Sequence, residues 1–199
     1  SWLIPQAKWL GIGPDKSFYK YESIPNNAAA QMHALTMELN DLLRQHEISI
    51  PVFAAASQDD TTVNTPATLE FMAQARHPAS KLVLYTTDME KRPPGIPAEK
   101  LELVNSVVPE QNILSSAHTA IVLPPDDPHY GAAGDYSNSI HYYPDDMEKY
   151  HACNGNSAEI FLGEITDDNL KAGILRRLMY NPNFAALKIS MKRFMDSLP

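Results

Sequence analysis

Two residues have the types and the settings for chemistry. Asp60 follows the apolar run Ile48-Ser49-Ile50-Pro51-Val52-Phe53-Ala54-Ala55-Ala56, in the loop Ser57-Gln58-Asp59-Asp60-Thr61-Thr62-Val63. His118 sits in a loop of small residues, Ile113-Leu114-Ser115-Ser116-Ala117-His118-Thr119. An acid and then a histidine, each just past a core strand, are two parts of a nucleophile–His–acid machine. A hydroxyl is a poor nucleophile until a neighbouring imidazole takes its proton. That imidazole must hold one tautomer and gains charge as it works, and a buried carboxylate on its second N–H meets both needs. The chain order acid-then-histidine fits an arrangement in which the nucleophile comes first. A G-x-S-x-G motif should therefore precede Asp60, yet none occurs in the 199 residues. The expectation is that the nucleophile lies upstream of residue 1 and that these residues are the C-terminal part of a longer protein.

The elements that would position the two residues come next. The run Ile48–Ala56 reads as a parallel strand covered on both faces. Thr65-Pro66 starts a helix, with Thr65 as N-cap and Pro66 at the first position; Leu69, Met72 and Ala73 or Ala75 face inward. Lys81–Thr86 is the next strand, so the three form a βαβ crossover. Before them, Ala28, Met32, Leu35, Leu39 and Leu42 mark one face of a helix that ends near His46 and Glu47. Residues 1–27 read as a cap or lid connection, with Trp2, Trp9 and Tyr19 as anchors or pocket lining. Residues 28–199 read as the α/β part.

Residues 88–111 are Pro-rich and read as an insertion with one short helix near Ala98–Val104. Residues 120–158 read as a long irregular loop, and Ala158–Leu162 as a short edge strand. Two helices should close the chain. The first starts near Thr166–Asp168 with Leu170, Ile174, Leu175 and Leu178 on one face, and Tyr180-Asn181-Pro182-Asn183 breaks it. The second uses Phe184, Leu187, Met191, Phe194 and Leu198.

The stretch Pro51-Val52-Phe53-Ala54-Ala55-Ala56-Ser57-Gln58-Asp59-Asp60-Thr61-Thr62-Val63, followed by the small-residue loop of His118, resembles the C-terminal portion of an α/β-hydrolase. The likeness is to serine esterases and monoacylglycerol-lipase-like enzymes of the serine-aminopeptidase type. The resemblance implies that Asp60 is the triad acid, with Asp59 pointing away from the histidine, and that His118 is the triad histidine. Ser57 stands where the family usually has Gly. The separation of Asp60 and His118, 118 − 60 = 58 positions, is long for the family, and the insertion at 88–111 accounts for it. The implied activity is hydrolysis of a small-molecule or lipid carboxylic ester, with no cofactor and no metal. A different elbow residue, Asp or Cys, would change the reaction, and a non-catalytic hydrolase-like interaction or regulatory module is the alternative. A half-sheet of this kind should expose the edge of Ile48–Ala56. It should need a partner there, either its own N-terminal fragment after a nick or a second copy.

Other chemistry-bearing residues have plainer readings. His129, His141, His151, Asp126-Asp127 and Asp145-Asp146 lack metal-ligand spacing and read as a solvated loop. His33 and His46 lie on or near a helix surface. Cys153 has no sequence-local base. As a single cysteine it excludes an intrachain disulfide and favours a reducing compartment such as the cytoplasm. Net charge −8 argues against nucleic acid as a partner. No apolar run approaches membrane-spanning length. No signal peptide is recognisable in these residues.

Overall fold

The computed structural model describes residues 8–11, 23–136, 143, 145–155 and 160–199. Trp2, Tyr19, His141, Ala158 and Glu159 lie outside the described residues. The chain divides into two units, residues 1–47 and 48–199. The helix expected from Ala28 thus belongs with the N-terminal segment.

In the first unit, β1 (Trp9–Gly11) pairs antiparallel with β2 (Ile24–Pro25), and α1 follows over Asn26–Gln45. The apolar face read from the sequence is present on α1, but none of its residues is buried.

The second unit is α/β. A three-stranded parallel sheet runs in the order β3 (Phe53–Ser57), β4 (Lys81–Thr86), β5 (Leu101–Asn105). Alternation along β4 shows why its sequence is apolar throughout. Leu82 and Leu84 pack with Met72 and Ala75, while Val83 and Tyr85 pack with Ile121 and Leu187 on the other face. Both faces of a parallel sheet are covered, so neither set of side chains meets water. Each such side chain contributes roughly 1.5–3 kcal/mol by leaving water.

The strand before Asp60 is shorter than its apolar run. Ile48 makes only an isolated bridge to Ala75, and Ile50 is exposed. Pro51 has no N–H to give to a ladder, so regular pairing begins at Phe53. Helix α2 (Thr65–Gln74) is capped by Asn64, whose side chain accepts from Ala67 N, not by Thr65. Thr65 takes the first helical position, Pro66 the second, and the Thr65 hydroxyl donates to Ser57 O at 2.6 Å.

Residues 88–111 are not an insertion in the sheet's path. They contain a 3₁₀ turn at Ala98–Lys100 and then β5, in place of the expected helix. Leu101 and Leu103 face α2, while Glu102 points to the other side and accepts from Ser190. The length between Asp60 and His118 is thus one more strand.

A second parallel pair, β6 (Ile160–Gly163) and β7 (Ile174–Arg177), lies beyond α3 (Met147–Asn154). So residues 120–158 are not wholly irregular, and the described part of the expected edge strand, Ile160–Leu162, lies in β6. The expected helix through Leu178 stops early as α4 (Asp167–Lys171). Gly173 has φ +149°, a backbone that side chains other than glycine rarely adopt, and the chain turns there into β7. Helix α5 (Phe184–Asp196) closes the unit through Leu187, Ser190 and Phe194; Met191, expected inward, is exposed.

Among the described residues, no helix is long and apolar enough to cross a membrane. Strand β3 is, among the described residues, an outer strand of its sheet, with β4 as its one ladder partner.

Candidate active site

The parallel register sets the site. Ser57 pairs with Tyr85 and Thr86 with Asn105, so all three strands end at one edge. The loop leaving β3 at that edge carries Asp60. Crevices at the carboxyl ends of parallel strands are the usual place for ligands in open α/β sheets.

The structure brings Asp60 and His118 together. Asp60 Oδ2 lies 2.7 Å from His118 Nδ1 and accepts the His118 backbone N–H, also at 2.7 Å. Asp60 Oδ1 accepts the N–H groups of Thr62 and Val63 at 2.7 and 2.8 Å. The Asp60 side chain is 1% exposed and that of His118 is 30% exposed. Among the described residues, His118 Nε2 has no hydrogen-bond partner. Burial works to raise the Asp60 carboxyl. The N–H groups of Val63 and Thr62, the histidine's charge and the His118 N–H outweigh it, and the group is held below its ordinary value.

The neighbouring acid, Asp59, turns to the residue after β4, where Thr87 Oγ1 donates to it at 3.0 Å. Ser57 is buried, and its hydroxyl donates to Ser116 O at 2.8 Å. Ser57 therefore ties the acid loop to the histidine loop.

The histidine loop is held from three sides. Ile113 bridges in parallel to Leu162 of β6, and Leu114 N donates to Leu162 O. Ser115 Oγ accepts from Glu164 N and Asn169 Nδ2, both at 2.9 Å. After the loop, Asn181 Nδ2 donates to Ile121 O and to the buried Tyr85 hydroxyl. A Cβ on Gly163 would meet Ser115 Oγ at 3.0 Å, so this close approach depends on glycine.

Sequence reasoning missed Glu164. It follows β6 directly, is fully buried, and pairs with Arg177 at 2.9 Å. Asp60, His118 and Glu164 each offer one ligand atom, all within 4.8 Å of one another. A cation there would have to displace four N–H contacts already made to the two Asp60 oxygens. The donor set therefore fits a hydrogen-bonded histidine–carboxylate pair better than a metal centre.

The remaining candidates do not join this site in the described residues. Asp127 accepts the N–H groups of His129 and Tyr130, Asp146 caps α3, and His129 Nδ1 meets Asp135. His33 and His46 are exposed. Cys153 is buried, its thiol donates to Leu175 O at 3.2 Å, and burial pushes its pKa up, which disfavours the reactive thiolate.

Comparison with protein-family models, curated proteins and solved structures finds no match to this chain.

Proposed function

We propose that this chain supplies the acid and the histidine of a serine hydrolase acting on carboxylic esters, an esterase or lipase of the α/β-hydrolase type. The serine would come from outside the 199 residues. One observation carries the reading: a carboxylate that is 1% exposed, held by backbone N–H groups, lies 2.7 Å from the Nδ1 of a histidine whose ring reaches solvent. With Nδ1 committed to Asp60, Nε2 is the nitrogen left to take a proton from a nucleophile and return it to the leaving group. Asp60 stays ionised at neutral pH and offsets the charge the ring acquires. The outer edge of β3 is the place where further strands, and the nucleophile they bring, would pair.

The substrate class is a small-molecule or lipid ester. The test uses the intact protein, p-nitrophenyl esters and a fluorophosphonate label. Turnover and labelling of a serine are expected. His118→Ala should lower turnover by at least about 10³-fold, because triad members act as a unit. A His118→Ala protein with near-normal turnover sinks the proposal.

A further inference from the structure

Glu164 is buried without being fully used. Its Oε1 accepts from Thr61 Oγ1 at 3.1 Å, Ile165 N at 2.8 Å and Arg177 Nη2 at 2.9 Å. Its Oε2 is buried and has no hydrogen-bond partner among the described residues. An interior oxygen left unpaired works against stability, and a buried ion pair is weak evidence for it. Fold support alone therefore does not account for a carboxylate here.

Its connections are specific. Thr61 is the residue next to Asp60. The Glu164 N–H donates to Ser115 Oγ, three residues before His118. Asn169 Nδ2 closes the triangle by donating to both Ser115 Oγ and Glu164 O at 2.9 Å. Arg177, at the end of β7 and paired with Gly163 in the ladder, fixes the carboxylate from behind. One residue thus joins the end of the β6–β7 pair to both loops that make the dyad.

We propose that Glu164 is a positioning residue, a clamp that holds the Asp60 loop through Thr61 and the His118 loop through Ser115 so that the two side chains keep their hydrogen bond. This rests on the Asp60–His118 pair being a working dyad. It does not depend on the nucleophile or on the ester.

The test is proton NMR on the intact protein. The hydrogen-bonded Nδ1 proton of His118 should give a low-field resonance that His118→Ala removes. Thr61→Val deletes the hydroxyl link to Glu164 and keeps the side chain's shape. Glu164→Gln keeps an acceptor oxygen and removes the charge. In both variants the resonance should move and exchange with solvent faster than in the parent protein. The Thr61→Val melting temperature should stay unchanged. In an active enzyme, turnover should fall about tenfold with the Michaelis constant held.

An unchanged resonance and exchange rate in Thr61→Val overturns the clamp, even if Glu164→Gln responds or fails to fold. Absence of the resonance in the parent protein overturns it too, since there would be no dyad to hold. A resonance that responds in a protein that cleaves no ester keeps the clamp and rejects the hydrolase reading.

Discussion

Among its described residues the second unit holds two histidine–aspartate pairs, and both use Nδ1: His118 with Asp60, and His129 with Asp135. The two rings are similarly exposed, at 30% and 25%, but the acids are not. Asp60 is 1% exposed and Asp135 is 82% exposed. Asp60 receives backbone N–H groups from Thr62, Val63 and His118, so its orientation is held by the backbone as well as by the ring. The Asp135 contact spans only six positions within one loop, against 58 for the other pair. The His129 ring is instead steadied by Tyr130 and Tyr136, with centroids at 4.5 and 5.3 Å. A histidine–carboxylate hydrogen bond is therefore weak evidence for catalysis by itself. Confinement of the acid, and its joining of two distant loops at a sheet edge, separates the first pair from the second.

The largest expected effect would break or secure that contrast directly. On the proposed hydrolase reading, Asp60→Asn in the intact protein should cut ester turnover about 10⁴-fold, because an amide there favours the wrong imidazole tautomer. Asp135→Asn and His129→Ala should leave turnover nearly unchanged. Equal losses at the two pairs, measured with p-nitrophenyl esters, would mean that acid burial was the wrong criterion.

The next effect is smaller and concerns pH. The Asp60 carboxyl is held below its ordinary value. Its contribution to stability is fully present above the unfolded-chain pKa of about 3.9 and is lost as pH falls through the lower folded value. Melting curves between about pH 5 and 2 should show Asp60→Asn converging on the parent protein as acid is added. Asp127, in the His129 loop, is also held low, by the N–H groups of Tyr130 and His129, but it is less enclosed than Asp60. Solvent screening weakens such groups, so Asp127→Asn should show a smaller convergence. A larger one at Asp127 would reverse the ranking.

How far the sequence revealed this depends on where each residue's constraint lies. Strand β4 was legible to the residue, because an apolar run covered on both faces is a local signal. Asp60 and His118 were legible because each follows an apolar run in a loop of small or polar residues. Strand β5 was misread as a helix. Ala98-Glu99-Lys100-Leu101 favours helix locally, and only the pairing with β4 makes the Leu101, Leu103 alternation decisive. Leu170, Ile174, Leu175 and Leu178 do lie at helical spacing, but Gly173 interrupts them. That second error hid Glu164, whose partner Arg177 comes beside it only if Ile174–Arg177 pairs with Ile160–Gly163. A Gly-Glu step after one short strand, and an Arg ending the next, was the signal that could have found it.

The smallest expected effect concerns Ser57. Its hydroxyl donates to Ser116 O at 2.8 Å and accepts the Asp59 N–H at 3.2 Å, in a position only 2% exposed. Ser57→Ala fits the same space and removes both contacts. Ser116 O would then lose a partner inside the protein, and hydrogen bonds of this kind contribute about 1 kcal/mol each. The expected outcome is a loss of about 1–2 kcal/mol by urea unfolding, with no change in the slope. The Asp60–His118 contact should survive, because four N–H contacts to Asp60 remain and Glu164 still holds both loops. Turnover should therefore fall far less than stability alone would suggest for a residue between the two loops. A turnover loss approaching that of Asp60→Asn would place the decisive constraint in the Ser57–Ser116 link, and the contrast between the two histidine pairs would then rest on loop docking instead of on the burial of the acid.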